Sequence, residues 1–379
     1  MSPFAHTMQK LLLRQDLDRA EAEALMTAMM EGTLSHIQVA SVLTALTLKG
    51  ETGEELTGFA AVMRRKVTRV PAGDDLLDTC GTGGSALPKT NTSTLAAFIL
   101  AAGGVRIAKH GNRSSSGRCG SMDVLERLEV PIDLSADQVA ALIDAVGLGF
   151  MLAPKFHPAI AHVTPVRREV GFRTVFNFLG PLTNPAGAQR QVLGVSDRRR
   201  APLMAEALRA LGSDRALVVH GSDGLDELTL SGSSYVWELR HGQVRSFEIT
   251  PEDAGLPRAA FDQLTGGDPD RNAELFWELL EGRARGPLRD LTLLNAGAGF
   301  WVADRAPTLA EGVRLATELL QDGEALRRFE AYRQAAREQV TARVTAAPDP
   351  AAAPDPAAAP DPAAAPDPAA TAPIPSRPE

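Results

Sequence analysis

The sequence predicts an α/β protein: a small all-helical N-terminal domain, a larger α/β domain on a central, mostly parallel sheet, and a disordered C-terminal tail. Three observations predict it. Three helix-capping signals recur within the first 70 residues. From Asp74 onward, short apolar runs alternate with glycine-rich turns and apolar helices. After Ala346 the chain passes into Ala/Pro/Asp repeats. The boundaries that follow are 1–73, 74–345 and 346–379.

The helical part rests on residue pairs three apart: Asp18 and Glu21, Ser35 and Gln38, Thr52 and Glu55. Each pair can satisfy two otherwise unpaired N–H groups at a helix start. Each opens an amphipathic run (AEAEALMTAMM, QVASVLTALTL, ELTGFAAVMRR), and Gly32 and Gly50 close the first two. In the second part LLDTC precedes a glycine-rich turn and STLAAFILAAGG follows it as a helix. VRIAK, GFMLA, QVLGV and RALVVHG read as strands, and DVLERL and PLMAEALRAL as helices. SYVWELRHGQVRSFEIT reads as a hairpin turning near His241-Gly242. NAELFWELLEG, TLAEGVRLATELL and EALRRFEAYRQAAREQV close the body as helices. The tail holds 11 of the 26 prolines, no aromatic residue, and Asp-Pro pairs on a six-residue period. It has too little apolar surface to offset the entropy of ordering it.

Composition removes several function classes. At 44% hydrophobic and 23% charged, the chain has the balance of a soluble globular protein. The tail's five acids and Arg377 account for −4 of the net charge of −8, leaving a body at −4. A mildly acidic body argues against nucleic acid as a partner. Cys80 and Cys119 make no disulfide framework, the N-terminal stretch lacks a signal-peptide pattern, and the longest apolar run, 95–105, is too short to span a bilayer. The expectation is a cytoplasmic protein with no membrane partner.

Four motifs carry chemistry. Asp78-Thr79-Cys80-Gly81-Thr82-Gly83-Gly84-Ser85 leads to Asn91-Thr92-Ser93-Thr94 at a helix start. Its glycines admit an anion closely, and a helix N-terminus offers free N–H groups. Gly83 to Thr90 mimics a nucleotide P-loop, but Pro88 stands where the second glycine belongs and lacks the N–H that the cradle uses. The second loop, Lys109-His110-Gly111-Asn112-Arg113-Ser114-Ser115-Ser116-Gly117-Arg118-Cys119-Gly120-Ser121, gathers three cations among serines and glycines, which suits a phosphate-rich ligand. Asp223-Gly224-Leu225-Asp226-Glu227 follows a strand; its carboxylates suit a hard cation, Mg²⁺ above all where a substrate brings phosphates, or else a solvated turn. The fourth runs from Phe156-His157-Pro158 through Arg167 to Asn177-Phe178-Leu179-Gly180-Pro181-Leu182-Thr183-Asn184-Pro185. Arg167 could clamp a carboxylate. His157, without a companion at metal spacing, reads as structural.

Taken together, GTGG, NTST, KHGNR with its Ser/Gly loop, NFLGPLTNP and DGLDE make the chain resemble the anthranilate phosphoribosyltransferase family over residues 7–340. The resemblance implies an enzyme of tryptophan biosynthesis that transfers phosphoribose from phosphoribosyl pyrophosphate to the amine of anthranilate, with up to two Mg²⁺ ions per monomer. It implies a homodimer paired through the helical domains, with a middle segment near 168–190 packing on the helical domain. By position, Gly81, Gly84, Ser85, Lys89, Asn91, Thr92, Ser93, Thr94, the stretch Lys109, His110, Gly111, Asn112, Arg113, Ser114, Ser115, Ser116, Gly117, and Ser121 match the phosphoribosyl pyrophosphate site. Gly81, Asn112, His157, Arg167 and Pro181 match the anthranilate site, Ser93, Asp226 and Glu227 the metal ligands, and Lys109, Asn112 and Arg167 the catalytic group.

Two departures stand out. Ser85 replaces the family's usual Asp and Lys89 its usual hydroxyl residue, so an acid is lost and a base gained. Both changes point to weaker dependence on a second Mg²⁺. Cys119 stands where a serine is common and reads as neutral packing. The competing readings are a pyrimidine-nucleoside phosphorylase, against which the Asp226-Glu227 pair argues, and a non-catalytic paralogue binding nucleic acid or a phosphoribosyl ligand.

Overall fold

The computed structural model describes residues 3–84, 90–114 and 119–346. The tail expected over 346–379 lies, from residue 347 on, outside them. Four helices open the chain: α1 (Pro3–Leu12), α2 (Arg19–Met30), α3 (His36–Lys49) and α4 (Gly53–Lys66). The capping boxes of Asp18, Ser35 and Thr52 all form, and Gly50 caps α3 at φ 85°. Glu55 does more than cap. Its fully buried carboxylate also accepts from the Leu17 N–H at 2.9 Å and the Lys49 Nζ at 3.0 Å, tying the α1–α2 connection to the α3–α4 corner.

The rest alternates strand and helix: β1 (Leu76–Gly81), α5 (Thr92–Ala102), β2 (Arg106–Gly111), α6 (Ser121–Arg127), α7 (Ala136–Val146), β3 (Leu148–Leu152), α8 (Ala153–Phe156), α9 (Thr164–Val170), α10 (Phe176–Leu179), β4 (Arg190–Gly194), α11 (Ala201–Ala210), β5 (Arg215–Gly221), β6 (Ser234–Arg240), β7 (Gln243–Ile249), α12 (Pro269–Leu280), α13 (Pro287–Val302), α14 (Leu309–Gln321) and α15 (Glu324–Ala346). The sheet runs β3-β2-β1-β4-β5-β6-β7, parallel through β5 and antiparallel over the last two pairs. The β6–β7 turn is the expected one: Arg240 pairs with Gln243, and His241 and Gly242 between them both have positive φ, 51° and 73°.

Both faces of the parallel part of the sheet are covered, so most of its strands read as nearly continuous apolar runs, whereas the edge strand β7 is largely exposed. Successive residues of β5 divide between two cores. Leu217 and Val219 join the core shared with α5, α12, α13 and α14, whereas Ala216 and Val218 join the core shared with α2, α3, α4 and α11. Val166, Phe176, Phe178, Leu179 and Leu182, from the segment between β3 and β4, belong to the second core.

Helices α7 and α13 lie outside the sequence reading. Helix α7 repeats the capping signature already seen three times, with Ser135 and Gln138 at its start and Gly147 at its end. Helix α13 shows no polar face because it is buried all round from Leu291 to Phe300. Its glycines bring backbones together: a Cβ on Gly312 of α14 would lie 2.3 Å from the Gly297 carbonyl oxygen.

Candidate active site

The chain moves outward from β1 to β2 and β3, then returns to the other side of β1 for β4 and β5. The reversal leaves a crevice beyond the carboxyl ends of β1 and β4, where open α/β sheets bind ligands. A cavity of about 340 Å³ lies there, and most of the expected residues line it.

Gly81 and Gly194 end β1 and β4 and are register partners. Asp226 folds over both. A Cβ on Gly81 would lie 2.6 Å from Asp226 Oδ2, and one on Gly194 would lie 1.7 Å from the Asp226 carbonyl oxygen. Asp226 Oδ2 accepts the Gly83 N–H at 3.1 Å. Its loop is held from two sides. Asp223 accepts from the Leu225 N–H at 3.1 Å and from Ser231 Oγ at 2.6 Å, and Asn295 of α13 brackets Leu228 through both backbone groups at 3.1 Å. Asp223 is therefore engaged in the turn, while Asp226 and Glu227 line the cavity. Asn295 lines it too, from α13, and no motif in the sequence marks it.

Lys109 reaches the same cavity from β2 with only 2% of its surface exposed. Its Nζ donates to the Thr79 carbonyl and to Ser93 Oγ, the latter at 3.1 Å. Burial pulls its pKa below that of an ordinary lysine, against the attraction of Asp78 and Glu227. Asp78 is buried behind it and accepts from the His110 N–H at 3.2 Å and Asn184 Nδ2 at 2.8 Å. Asn91 enters α5 in the left-handed region, φ 54° and ψ 37°, with its Oδ1 accepting from Asn272 Nδ2 at 2.8 Å. Ser93 lines the cavity; Thr92 and Thr94 are buried and do not.

Across the cavity stand Gly111, Asn112, Arg113, Ser114 and Ser121. Asp123 ties Ser114 to the start of α6, accepting from the Ser114 N–H at 2.9 Å and the Gly120 N–H at 2.7 Å. Arg113 is not an unopposed cation. It forks onto Glu126 with contacts of 2.7 and 3.2 Å, which holds its pKa up. Ser85, Lys89, Ser115, Ser116, Gly117 and Arg118 lie outside the described residues.

The remaining wall comes from the segment between β3 and β4. Arg167 lines the cavity from α9, its guanidinium 5.4 Å from the Phe176 ring centroid. Burial alone lowers its pKa; among the described residues no carboxylate offsets it. Pro181 lines the cavity, and its carbonyl accepts from Gln191 Nε2 at 2.7 Å. His157 does not line it. Its ring packs against that of His110, centroids 5.0 Å apart and planes tilted by 45°, and burial drives the His157 and His110 imidazoles down to about 4 and about 3 respectively. Both are neutral at pH 7.

Residues 5–67 match the helical bundle domain of a glycosyl transferase family, and residues 73–326 match its a/b domain. The chain is 50% identical over 330 residues to an anthranilate phosphoribosyltransferase of Rubrobacter xylanophilus, covering 87% of this chain and 96% of that one. It is 51% identical over 319 residues to that of Chloroflexus aggregans, covering 84% and 94%. The chain belongs to the anthranilate phosphoribosyltransferase family. Among solved members, the anthranilate phosphoribosyltransferase of Thermus thermophilus superposes with a TM-score of 0.82 at 47% identity, covering 87% of this chain and 99% of that one. That of Saccharomyces cerevisiae, in complex with PRPP and Mg, does so with 0.80 at 27% identity, covering 88% and 98%.

The donor set bears on the metal of this transferase family. Among the described residues no three His, Cys, Asp or Glu side chains gather into a cage. Asp226 and Glu227 nevertheless face the cavity that Ser93 lines, and all three offer hard oxygen. Mg²⁺ is commonly held by one or two carboxylates together with substrate phosphates. The residues fit a metal that arrives with a polyphosphate. No helix among the described residues is long and apolar enough to cross a membrane.

Proposed function

We propose that this protein transfers the phosphoribosyl group of phosphoribosyl pyrophosphate to the amine of anthranilate, giving N-(5-phosphoribosyl)anthranilate and pyrophosphate. The observation that carries the reading is one cavity at the sheet's reversal point, lined by a buried lysine, two carboxylates, two glycine-bearing loops and an arginine lacking a carboxylate partner among the described residues. In the reaction the sugar C1–O bond breaks with its electron pair leaving on pyrophosphate. The C1–N bond forms, and the amine gives up one proton to solvent or to the departing pyrophosphate.

Lys109 offers a buried cation to the leaving group, and the loop amides with Ser93 and Asn91 orient it. Asp226, Glu227 and Ser93 would hold Mg²⁺, which when bound supplies further charge neutralisation. Arg167 suits the carboxylate of anthranilate, with Asn112, Gly81 and Pro181 around its ring. The aromatic amine is neutral at pH 7 and already nucleophilic, so no strong base is required. The two depressed imidazoles, His110 and His157, agree with that. His157 would act by shaping the wall through His110.

The same reading extends to assembly and division of the chain. Leu12, Leu13, Ile37 and Leu48, between 63% and 79% exposed on or beside α1 and α3, support a homodimer paired through the helical domain. The separate family matches over 5–67 and 73–326 support a helical domain over 1–73 and an α/β domain over 74–345, and the core that Val175, Phe176, Phe178, Leu179 and Leu182 share with α2, α3 and α4 supports packing of the 168–190 segment on the helical domain. The site is assigned up to two Mg²⁺ ions, and the enzyme a cytoplasmic location.

The test is direct. Protein mixed with Mg²⁺, anthranilate and phosphoribosyl pyrophosphate should consume anthranilate fluorescence. No loss at any Mg²⁺ concentration defeats the reading and favours a non-catalytic relative; phosphorolysis of a pyrimidine nucleoside in its place favours the phosphorylase.

A further inference from the structure

We infer that Arg173 is a positioning residue that holds the Gly83 peptide, and through it Asp226, in the orientation the pyrophosphate end of the cavity needs. Arg173 lies between α9, which carries Arg167, and α10, which carries Asn177. It does not line the cavity. Its guanidinium comes at the first glycine-rich loop from behind, donating from Nη1 to the Gly83 carbonyl at 2.8 Å and from Nη2 to the Thr82 carbonyl at 3.3 Å.

The Gly83 residue is consequently held at both ends. Its carbonyl accepts from Arg173 and from Ser196 Oγ at 2.9 Å, and its N–H donates to Asp226 Oδ2 at 3.1 Å. Fixing the carbonyls toward Arg173 fixes which way the loop's peptide planes face, since the peptide is planar. Gly84 records the closeness of the approach. It sits at φ 77°, and a Cβ there would lie 1.1 Å from Arg173 Nη1.

Arg173 is itself braced. Its guanidinium lies 5.3 Å from the Phe178 ring centroid, and Arg200 lies 4.1 Å from the same centroid. Arg200 is paired with Glu51, which is buried at the α3–α4 corner. A chain of contacts thus runs from the helical segment through Glu51, Arg200, Phe178 and Arg173 to the loop that meets Asp226. Two parallel donors on two successive carbonyls require a planar fork, which lysine cannot supply.

The inference rests on the reading that this cavity takes a pyrophosphate, and its test separates the two. In the full-length protein, Arg173→Gln should speed amide hydrogen exchange over residues 82–84 while leaving 77–79 of β1 unchanged. It should weaken calorimetric binding of inorganic pyrophosphate with Mg²⁺ by about tenfold, the scale of a lost hydrogen bond to a charged group. KM for phosphoribosyl pyrophosphate should rise by a similar factor while KM for anthranilate stays within about twofold. Arg173→Lys, which keeps the charge and one donor, should fall between the two and serves if the glutamine variant does not fold. Unchanged exchange over 82–84, or equal losses for both substrates, overturns the inference. If the native protein fails to consume anthranilate, the functional reading falls, and the exchange measurement still decides the role of Arg173.

Discussion

Replacing Gly194 with alanine should damage this site by driving Asp226 out of place. The new Cβ would lie 1.7 Å from the Asp226 carbonyl oxygen and 2.4 Å from its carbonyl carbon. Both are backbone atoms, so no side-chain rotation relieves the clash. Restoring carbon contact distance requires Asp226 to retreat by roughly 1.7 Å. Gly194 does not have a positive φ, so the cost is steric and not conformational. Overpacking of this kind costs about 1–3 kcal/mol of stability. A displacement of about 1 Å in a positioning carboxylate costs about 100-fold in rate. Gly81→Ala provides the comparison, because its Cβ meets the side-chain Oδ2 of Asp226 at 2.6 Å, and a carboxylate can turn away. Anthranilate fluorescence gives kcat/KM, and thermal unfolding gives stability. The expected order of loss is Gly194→Ala well beyond Gly81→Ala in both. A Gly194→Ala protein within about threefold of native kcat/KM, with unchanged unfolding, would refute the claim that this glycine exists to admit Asp226.

Three further predictions follow from the same contacts. The His157 imidazole titrates near 4 in the fold and near 6.5 when unfolded, so its contribution is fully present above pH 6.5 and is lost as pH falls toward 4, up to roughly 3 kcal/mol. His157→Leu should flatten that part of the stability-pH curve, and parallel curves would show the imidazole is not the cause. Asn91 and Asn272 should be coupled, since Asn272 is 1% exposed and its Nδ2 is 2.8 Å from Asn91 Oδ1. A double-alanine cycle on unfolding free energy should give about 0.5–3 kcal/mol of coupling, and additivity would dismiss the contact. Ser85→Asp should steepen the dependence of turnover on Mg²⁺ by restoring an acid to the loop; identical Mg²⁺ curves for the two proteins would remove Ser85 as a determinant.

Much of the fold was legible because its signals are local. Capping boxes, strand runs bounded by glycine, and a two-residue hairpin turn each declare themselves within a few residues. Helix α7 was equally legible, since Ser135 and Gln138 repeat the signature of Ser35 and Gln38. Helix α13 was not. Amphipathic period marks a helix with one wet face, and α13 has none through its buried stretch. Gly297 and Gly299, ordinarily a mark against a helix, are there because α14 and Leu100 of α5 press against them.

The site was legible in its residue types and less so in their charges. Along the chain, Lys109 and Arg113 look like equivalent cations in one basic loop. In the fold they differ in kind. Arg113 is half exposed and neutralised by Glu126, whereas Lys109 is buried, donates to a carbonyl and a hydroxyl, and shares its cavity with Asp226 and Glu227. A buried charge acts through a low dielectric and loses little to screening, so Lys109 outweighs its neighbour in whatever the cavity binds. Partners decide this, and they come from other elements: Glu126 on α6, Thr79 on β1, Ser93 on α5. The carboxylates follow the same rule. Asp223 and Asp226 are three residues apart, yet one is absorbed by Ser231 and the Leu225 amide while the other is brought over Gly81 and Gly194 to face the ligand space. The pair of strand-end glycines, far apart in sequence and adjacent in the sheet, selects which acid can serve the chemistry.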